Sequence, residues 1–207
     1  MRTRGIVDQT MILLSGTGGQ GTSATPGIAP IGFDDLEPAL REQLRPRYER
    51  LGYLGAFFQY AAHQPRALAA FDTFTEALKQ ALPEPITQLV ALTIAAVTDN
   101  RYERHQHEQL ALRLGLSREW VSDRVRGAAP DDPRERAVHD LVLGLLAGHG
   151  HGVRDRLGSV VELLGPEAAV AVLLLAGRYL AHAVVANALE LPPPVPSVTE
   201  SDGRDDG

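Results

Sequence analysis

The chain has no cysteine, and that absence removes three chemistries at once. Disulfide staples, thiolate metal sites and thiol-based peroxide reduction all need a sulfhydryl, so any redox activity would depend on a bound cofactor. A basic patch is also missing. The 20 Lys and Arg residues are scattered among 26 Asp and Glu, for a formal net charge of -6, and nothing along the sequence is set up to neutralise a phosphate backbone. Nucleic acid is therefore not an expected partner. Near the N-terminus the one apolar run, Met11-Ile12-Leu13-Leu14, is too short for a secretory signal core, which points to a cytoplasmic protein. Period-two alternation, the mark of half-buried strands, is absent as well.

What is present is a chain of 207 residues, 44% hydrophobic, enough for one large domain with a substantial core. Residues 1–30 read as a flexible leader. Its Ser15-Gly16-Thr17-Gly18-Gly19-Gln20-Gly21-Thr22-Ser23 stretch has neither the preceding strand nor the following helix that a phosphate-binding loop requires. Residues 197–207 read as a disordered acidic tail, which leaves 31–196 as the folded domain.

Within that domain the apolar residues recur at helical period, with breaks at Gly, Pro and Asp. Helices are expected at Asp34 to Arg50, Leu54 to Ala62, Pro65 to Ala81, Glu84 to Thr98, Arg101 to Leu114, Ser117 to Arg126, Asp132 to Gly148, Val153 to Leu164 and Pro166 to Glu190. The fold class is all-α, a compact helical bundle. The last helix is nearly uniformly apolar from Ala168 to Ala176 but is interrupted by Arg178, His182, Asn187 and Glu190. It reads as a core or subunit-interface helix rather than a membrane span. The helix from Glu84 is apolar on several faces too, and two such helices suggest a homo-oligomer.

The chemistry gathers on one stripe. At ~100° per residue, Asn100, Glu103, His107, Ala111 and Leu114 share a sector of the fifth helix, so a carboxylate and an imidazole one turn apart face inward together. Partly buried, such a pair can share a proton; the ordinary alternative is an i,i+4 pair that stabilises the helix by a few tenths of a kcal/mol. Tyr102 lies on a neighbouring face, either a packing residue or a substrate contact. Gln88 shares a stripe with Ala91, Leu92 and Ala95, and its amide would hold a substrate oxygen or hydrogen-bond Glu103. Asn100 reads as a helix N-cap or a substrate contact, His182 as a satisfied core histidine or a site residue, and Tyr60 and His63 as a pocket mouth. His105 and His107 diverge by ~200° around a helix and cannot chelate one ion; His149 and His151 have no third ligand nearby. No metal is expected.

The segment from Asn100 to Gly115 resembles the carboxymuconolactone decarboxylase family, which includes alkylhydroperoxidase D. Redox members carry Cys-x-x-Cys-x-x-x-His followed by a helix-ending glycine. Aligned on His107 and Gly115, the two cysteine positions are Asn100 and Glu103. The decarboxylase-like members show Tyr-Glu-x-x-x-His, present here as Tyr102, Glu103 and His107. An upstream Glu of the family is replaced by Gln88, which cannot act as a base. The similarity runs from Ile31 to Leu191-Pro192-Pro193. It implies a helical fold, a trimer or a hexamer of two trimers, and a lactone or other carbonyl acid as small-molecule substrate.

The function expected from these readings is a cofactor-independent acid/base lyase or isomerase: decarboxylation, dehydration or cyclisation next to a carbonyl, with Glu103 and His107 moving the proton and Gln88 steadying the oxygen. The alternative is a non-catalytic oligomeric binding or scaffold protein that has kept the motif's structural role.

Overall fold

A computed structural model of the chain describes residues 27–200. The expected leader lies almost wholly outside these residues, as does the end of the expected tail from 201 onward. Among the described residues a short 3-10 turn, Phe33–Asp35, leads into nine helices: α1 Pro38–Leu51, α2 Ala56–Ala61, α3 Pro65–Gln80, α4 Glu84–Val97, α5 Arg101–Arg113, α6 Arg118–Val125, α7 Pro133–Gly148, α8 Arg154–Leu164 and α9 Pro166–Ala188. No strand occurs among the described residues, and the fold is all-α.

Capping chemistry sets most of the starts. Ser117 accepts a hydrogen bond from the Trp120 N–H, and Asp132 from the Arg134 and Glu135 N–H groups, satisfying donors that a helix N-terminus otherwise leaves open. Proline occupies the first turn of α1, α3, α7 and α9, where its missing N–H costs nothing. The first helix begins four residues later than expected from Asp34. Glu37 caps it ahead of Pro38, accepting from the Leu40 N–H, and Asp34 and Asp35 fall in the 3-10 turn instead.

The all-round apolar surface of α4 explains its place. Every residue from Ile86 to Ala95 is buried, and α4 packs against α5, α6, α7 and α9, so it forms the axis of the bundle. The larger core joins α4, α7, α8 and α9 through Leu89, Val90, Ile94, Leu141, Val160 and Leu175. A second core fastens the N-terminal segment, α1 and α2 through Leu36, Leu40, Leu44 and Phe57, and meets Tyr102 of α5 and Ala186 of α9. Helix α9 therefore contributes to both cores, and α5 to the second.

Helix α9 is long and apolar enough, by length and composition, to cross a membrane, yet half of its most apolar stretch is buried inside the fold. It supplies buried Arg178 and His182, as a core helix does. The packed chain also runs past the expected limit at 196. Ser197 and Val198 are buried, because Glu108 of α5, fully buried, draws the Ser197 hydroxyl (2.7 Å) and the Val198 N–H (2.8 Å) onto its carboxylate. A buried carboxylate must be satisfied, so residues 197–200 lie as a strap against α5 rather than as part of a loose tail.

Candidate functional site

The connection between α4 and α5 is only Thr98 to Asn100, with Asp99 in the left-handed region (φ 49°), a conformation Asp tolerates better than most residues. Asn100 then caps α5, its side-chain oxygen accepting from the Glu103 N–H at 3.2 Å. With the helix start fixed in this way, Glu103 and His107 stand one turn apart and face inward, 5% and 7% exposed.

Glu103 is the hub. Its Oε2 accepts from His107 Nε2 at 2.8 Å and its Oε1 from His182 Nε2 of α9, also at 2.8 Å. Arg178, one turn before His182, approaches Oε1 at 3.5 Å and donates through Nε to Thr75 Oγ of α3 at 3.0 Å. The His182 ring stacks on Phe57 of α2, with centroids 3.9 Å apart. Behind His107, Nδ1 and the Gln88 side-chain amide of α4 are hydrogen-bonded, 2.7 Å apart. Because an amide carries an acceptor on one side and a donor on the other, Gln88 can serve His107 in either protonation state by turning over.

The electrostatics follow from burial and these contacts. Burial alone would push the Glu103 carboxyl up, but His182, the hydrogen bonds from both imidazoles and Arg178 outweigh it and hold the group well below the usual carboxylate range. His182 is pushed down by burial, partly offset by Glu103, which favours a neutral ring donating from Nε2. Burial raises the Tyr102 hydroxyl to about 12, so it stays protonated at neutral pH. The arrangement is an ionised carboxylate between two imidazoles, able to fix their orientation and to stabilise a positive charge when either takes up a proton.

This cluster forms part of the wall of a cavity of about 590 Å³, to which Glu103, His107, His182, Tyr102 and Tyr179 all contribute. Its size falls within the range that holds a drug-sized molecule. Among the described residues no group of three or more His, Asp or Glu side chains is placed to hold a metal ion.

The expected site residues divide. Glu103, His107, His182 and Tyr102 meet at the cavity. Tyr102 reaches it although it leaves α5 on another face than Glu103, and its hydroxyl accepts from the Phe57 N–H at 3.3 Å. Gln88 is off the cavity wall and bonds His107, neither a substrate oxygen nor Glu103. Asn100 is spent on capping. Tyr60 packs into the second core, and exposed His63 donates from Nε2 to the Ala29 carbonyl at 2.7 Å; neither lines the cavity, and Phe58 supplies the aromatic wall from that segment. His105 points away from His107 to the Val195 carbonyl at 3.0 Å. Sequence reasoning missed Arg178, seen only as an interruption of an apolar helix. Its signal was the spacing to His182, which puts a guanidinium and an imidazole on one face.

The helical fold is of the alkylhydroperoxidase D type. The alkylhydroperoxidase AhpD core of a peroxidase-related protein from Ralstonia eutropha JMP134 superposes with a TM-score of 0.71 at 17% identity, over 80% of this chain and 91% of that one. A peroxidase-related protein from Silicibacter sp. TM1040 gives 0.72 at 15% identity, over 86% and 96%. The debrominase Bmp8 gives 0.71 at 16% identity, over 84% and 95%. No curated protein matches the sequence. Residues 65–142, which hold Gln88, Glu103 and His107, match the sequence model of the carboxymuconolactone decarboxylase family.

Proposed function

We propose that the protein is a cofactor-independent acid/base lyase or isomerase that moves a proton on a carbon next to a carbonyl in a small molecule. The observation that carries the reading is the ionised Glu103 held between His107 and His182 on the wall of a 590 Å³ cavity. In the proposed step an imidazole of the cluster takes the proton from the substrate carbon, Glu103 stabilises the imidazolium, and the Tyr102 hydroxyl or Arg178 faces the oxygen on which charge develops. Gln88 is a positioning residue that holds His107. Likeness to a debrominase and to peroxidase-related proteins supports small-molecule chemistry in this fold, while the lack of cysteine separates the chain from thiol-based members. The setting we propose is a cytoplasmic homo-oligomer, a trimer or hexamer.

The test is proton exchange. In D₂O, with a panel of lactones and carbonyl acids, the wild type should place deuterium on the carbon next to the carbonyl of at least one compound, read by NMR, and Glu103→Gln and His107→Ala should not. A second reading, an oligomeric binding or scaffold protein, is favoured by one observation: Val170, Leu174 and Val184 form an outward apolar stripe on α9. Exchange that survives both substitutions within threefold would leave that reading in the lead.

A further inference from the structure

The same cavity carries an excess of positive charge that the acid/base cluster does not use. Arg47 and Arg50 of α1, Lys79 of α3, Arg113 of α5 and Arg178 of α9 all line it, and Glu103 is the only carboxylate among the lining residues. Three carboxylates pair with these cations: Asp72 and Glu76 with Arg47 at 2.9 and 3.3 Å, Glu76 also with Lys79 at 3.2 Å, and Glu103 with Arg178 at 3.5 Å. Five cations against three carboxylates leave two positive charges over, those of Arg50 and Arg113 at the same cavity, in a protein whose net charge is -6.

Polar atoms there are also unpartnered. Arg47 Nε, Tyr179 Oη and His182 Nδ1 are buried without a hydrogen-bond partner, and all three belong to residues that line the cavity. Arg47 Nε and the Tyr179 hydroxyl are buried donors that call for a missing acceptor, while Nδ1 of the neutral His182 ring is itself an open acceptor. Lys79 is the chain's only lysine, and burial with the nearby Arg47 and Arg178 pushes its ammonium down in spite of Glu76. An anion beside it would reverse that. Aromatic side chains, Tyr53, Phe58, Tyr102 and Tyr179 among them, supply the rest of the wall.

We infer that the cavity binds an organic anion with a flat apolar body, its acidic group seated on the shelf formed by Arg47, Lys79 and Arg178 between α1, α3 and α9. The inference rests on the reading of this cavity as a substrate site and names the substrate class: a carboxylate or a phosphate ester, the two anions that guanidinium groups chelate. Seating the anion on the shelf leaves the body of the molecule against the Glu103 cluster, where the proton moves.

Binding, measured without turnover, separates this inference from the proposed reaction. The probes are 2-naphthoate, its neutral amide and 2-naphthyl phosphate, titrated by calorimetry into the full chain. At least one anion should bind tenfold or more tightly than the amide, and whichever is tighter identifies the acidic group. Lys79→Gln and Arg47→Gln should each bring that preference down to within threefold, while Lys79→Arg and Glu103→Gln should keep it. A second readout needs no substitution: reductive methylation with ¹³C-formaldehyde gives Lys79 a single dimethylamine signal, whose titration midpoint should rise when the preferred anion binds and not with the amide. Equal affinity for anion and amide, no binding of any probe at millimolar concentration, or a Lys79 midpoint that ignores the anion would each overturn the inference. Failure of deuterium exchange with the anion preference intact would reject the proposed reaction and leave the anion site standing.

Discussion

Glu103 stays ionised at 5% exposure because three donors converge on it, and a buried charge that loses a partner becomes a liability. Its carboxyl lies well below the usual range and the His182 imidazole is lowered by burial. A depressed acid contributes stability that is present above its unfolded value, about 4.3, and is lost as pH falls through the folded value. A depressed base adds loss earlier: below about 6.5 the unfolded chain takes up a proton that the folded ring refuses. The melting temperature should therefore decline steadily as pH falls below about 6.5. In His182→Gln that first decline should shrink without vanishing, since burial lowers His139 as well; an unchanged slope by scanning fluorimetry would contradict the picture. For catalysis, His107→Ala and Glu103→Gln should each lower turnover by ~100 to 10,000-fold with the fold intact, and the double variant should lose little more than the worse single one. The carboxylate and first imidazole were legible because one helix carries both. His182 was harder to assign and Arg178 was missed, since which face of α9 meets α5 is set by tertiary packing and not by any local spacing.

At the scale of elements, α5 is held from two sides. Asn100 and the Glu103 cluster fix its inner face, and Glu108 fixes its outer one by accepting from Ser197 and Val198 in the C-terminal strap. Arg104 also pairs with Glu200 of the strap and with Glu108 at 3.4 Å. Glu108→Ala should leave these buried donors open and cost about 1–3 kcal/mol, with faster hydrogen exchange at residues 197–200. If chemical denaturation shows no loss, the strap is not held by this carboxylate. Val195, just before the strap, lines the cavity, so the same change should loosen one wall of the site. Helix positions were readable to within a few residues because Gly, Pro and capping side chains act locally. The strap was not, because Pro192 to Glu200 is proline-rich with no helical period and gains its order from Glu108, about ninety residues away in sequence. A glycine shows the same limit: a Cβ at Gly55 would stand 2.7 Å from the Tyr102 hydroxyl, a contact invisible until α2 and α5 are brought together.

At the scale of the whole molecule, one face remains uncovered. Val170, Leu174 and Val184 of α9 are 54%, 46% and 68% exposed, Val97 at the end of α4 is 54% exposed, and Gly177 and Ala181 complete an outward stripe of apolar and small side chains along α9. Single exposed apolar residues are ordinary, but a continuous stripe along one helix is the pattern of a helix-helix contact. The small pair in the middle would let a neighbouring helix come close, and a second copy of the same chain is the occupant that an oligomer requires. Light scattering at micromolar concentration should then give a multiple of the 22.3 kDa chain mass, three or six in the assembly proposed above. Placing charges on the stripe with Leu174→Arg and Val184→Arg together should return the protein to a single-chain mass without loss of helix, because both side chains point away from the core. A wild type that already runs at the mass of one chain would remove the oligomer. An assembly that survives both arginines would keep the oligomer and move its interface off α9, leaving this stripe without its proposed partner.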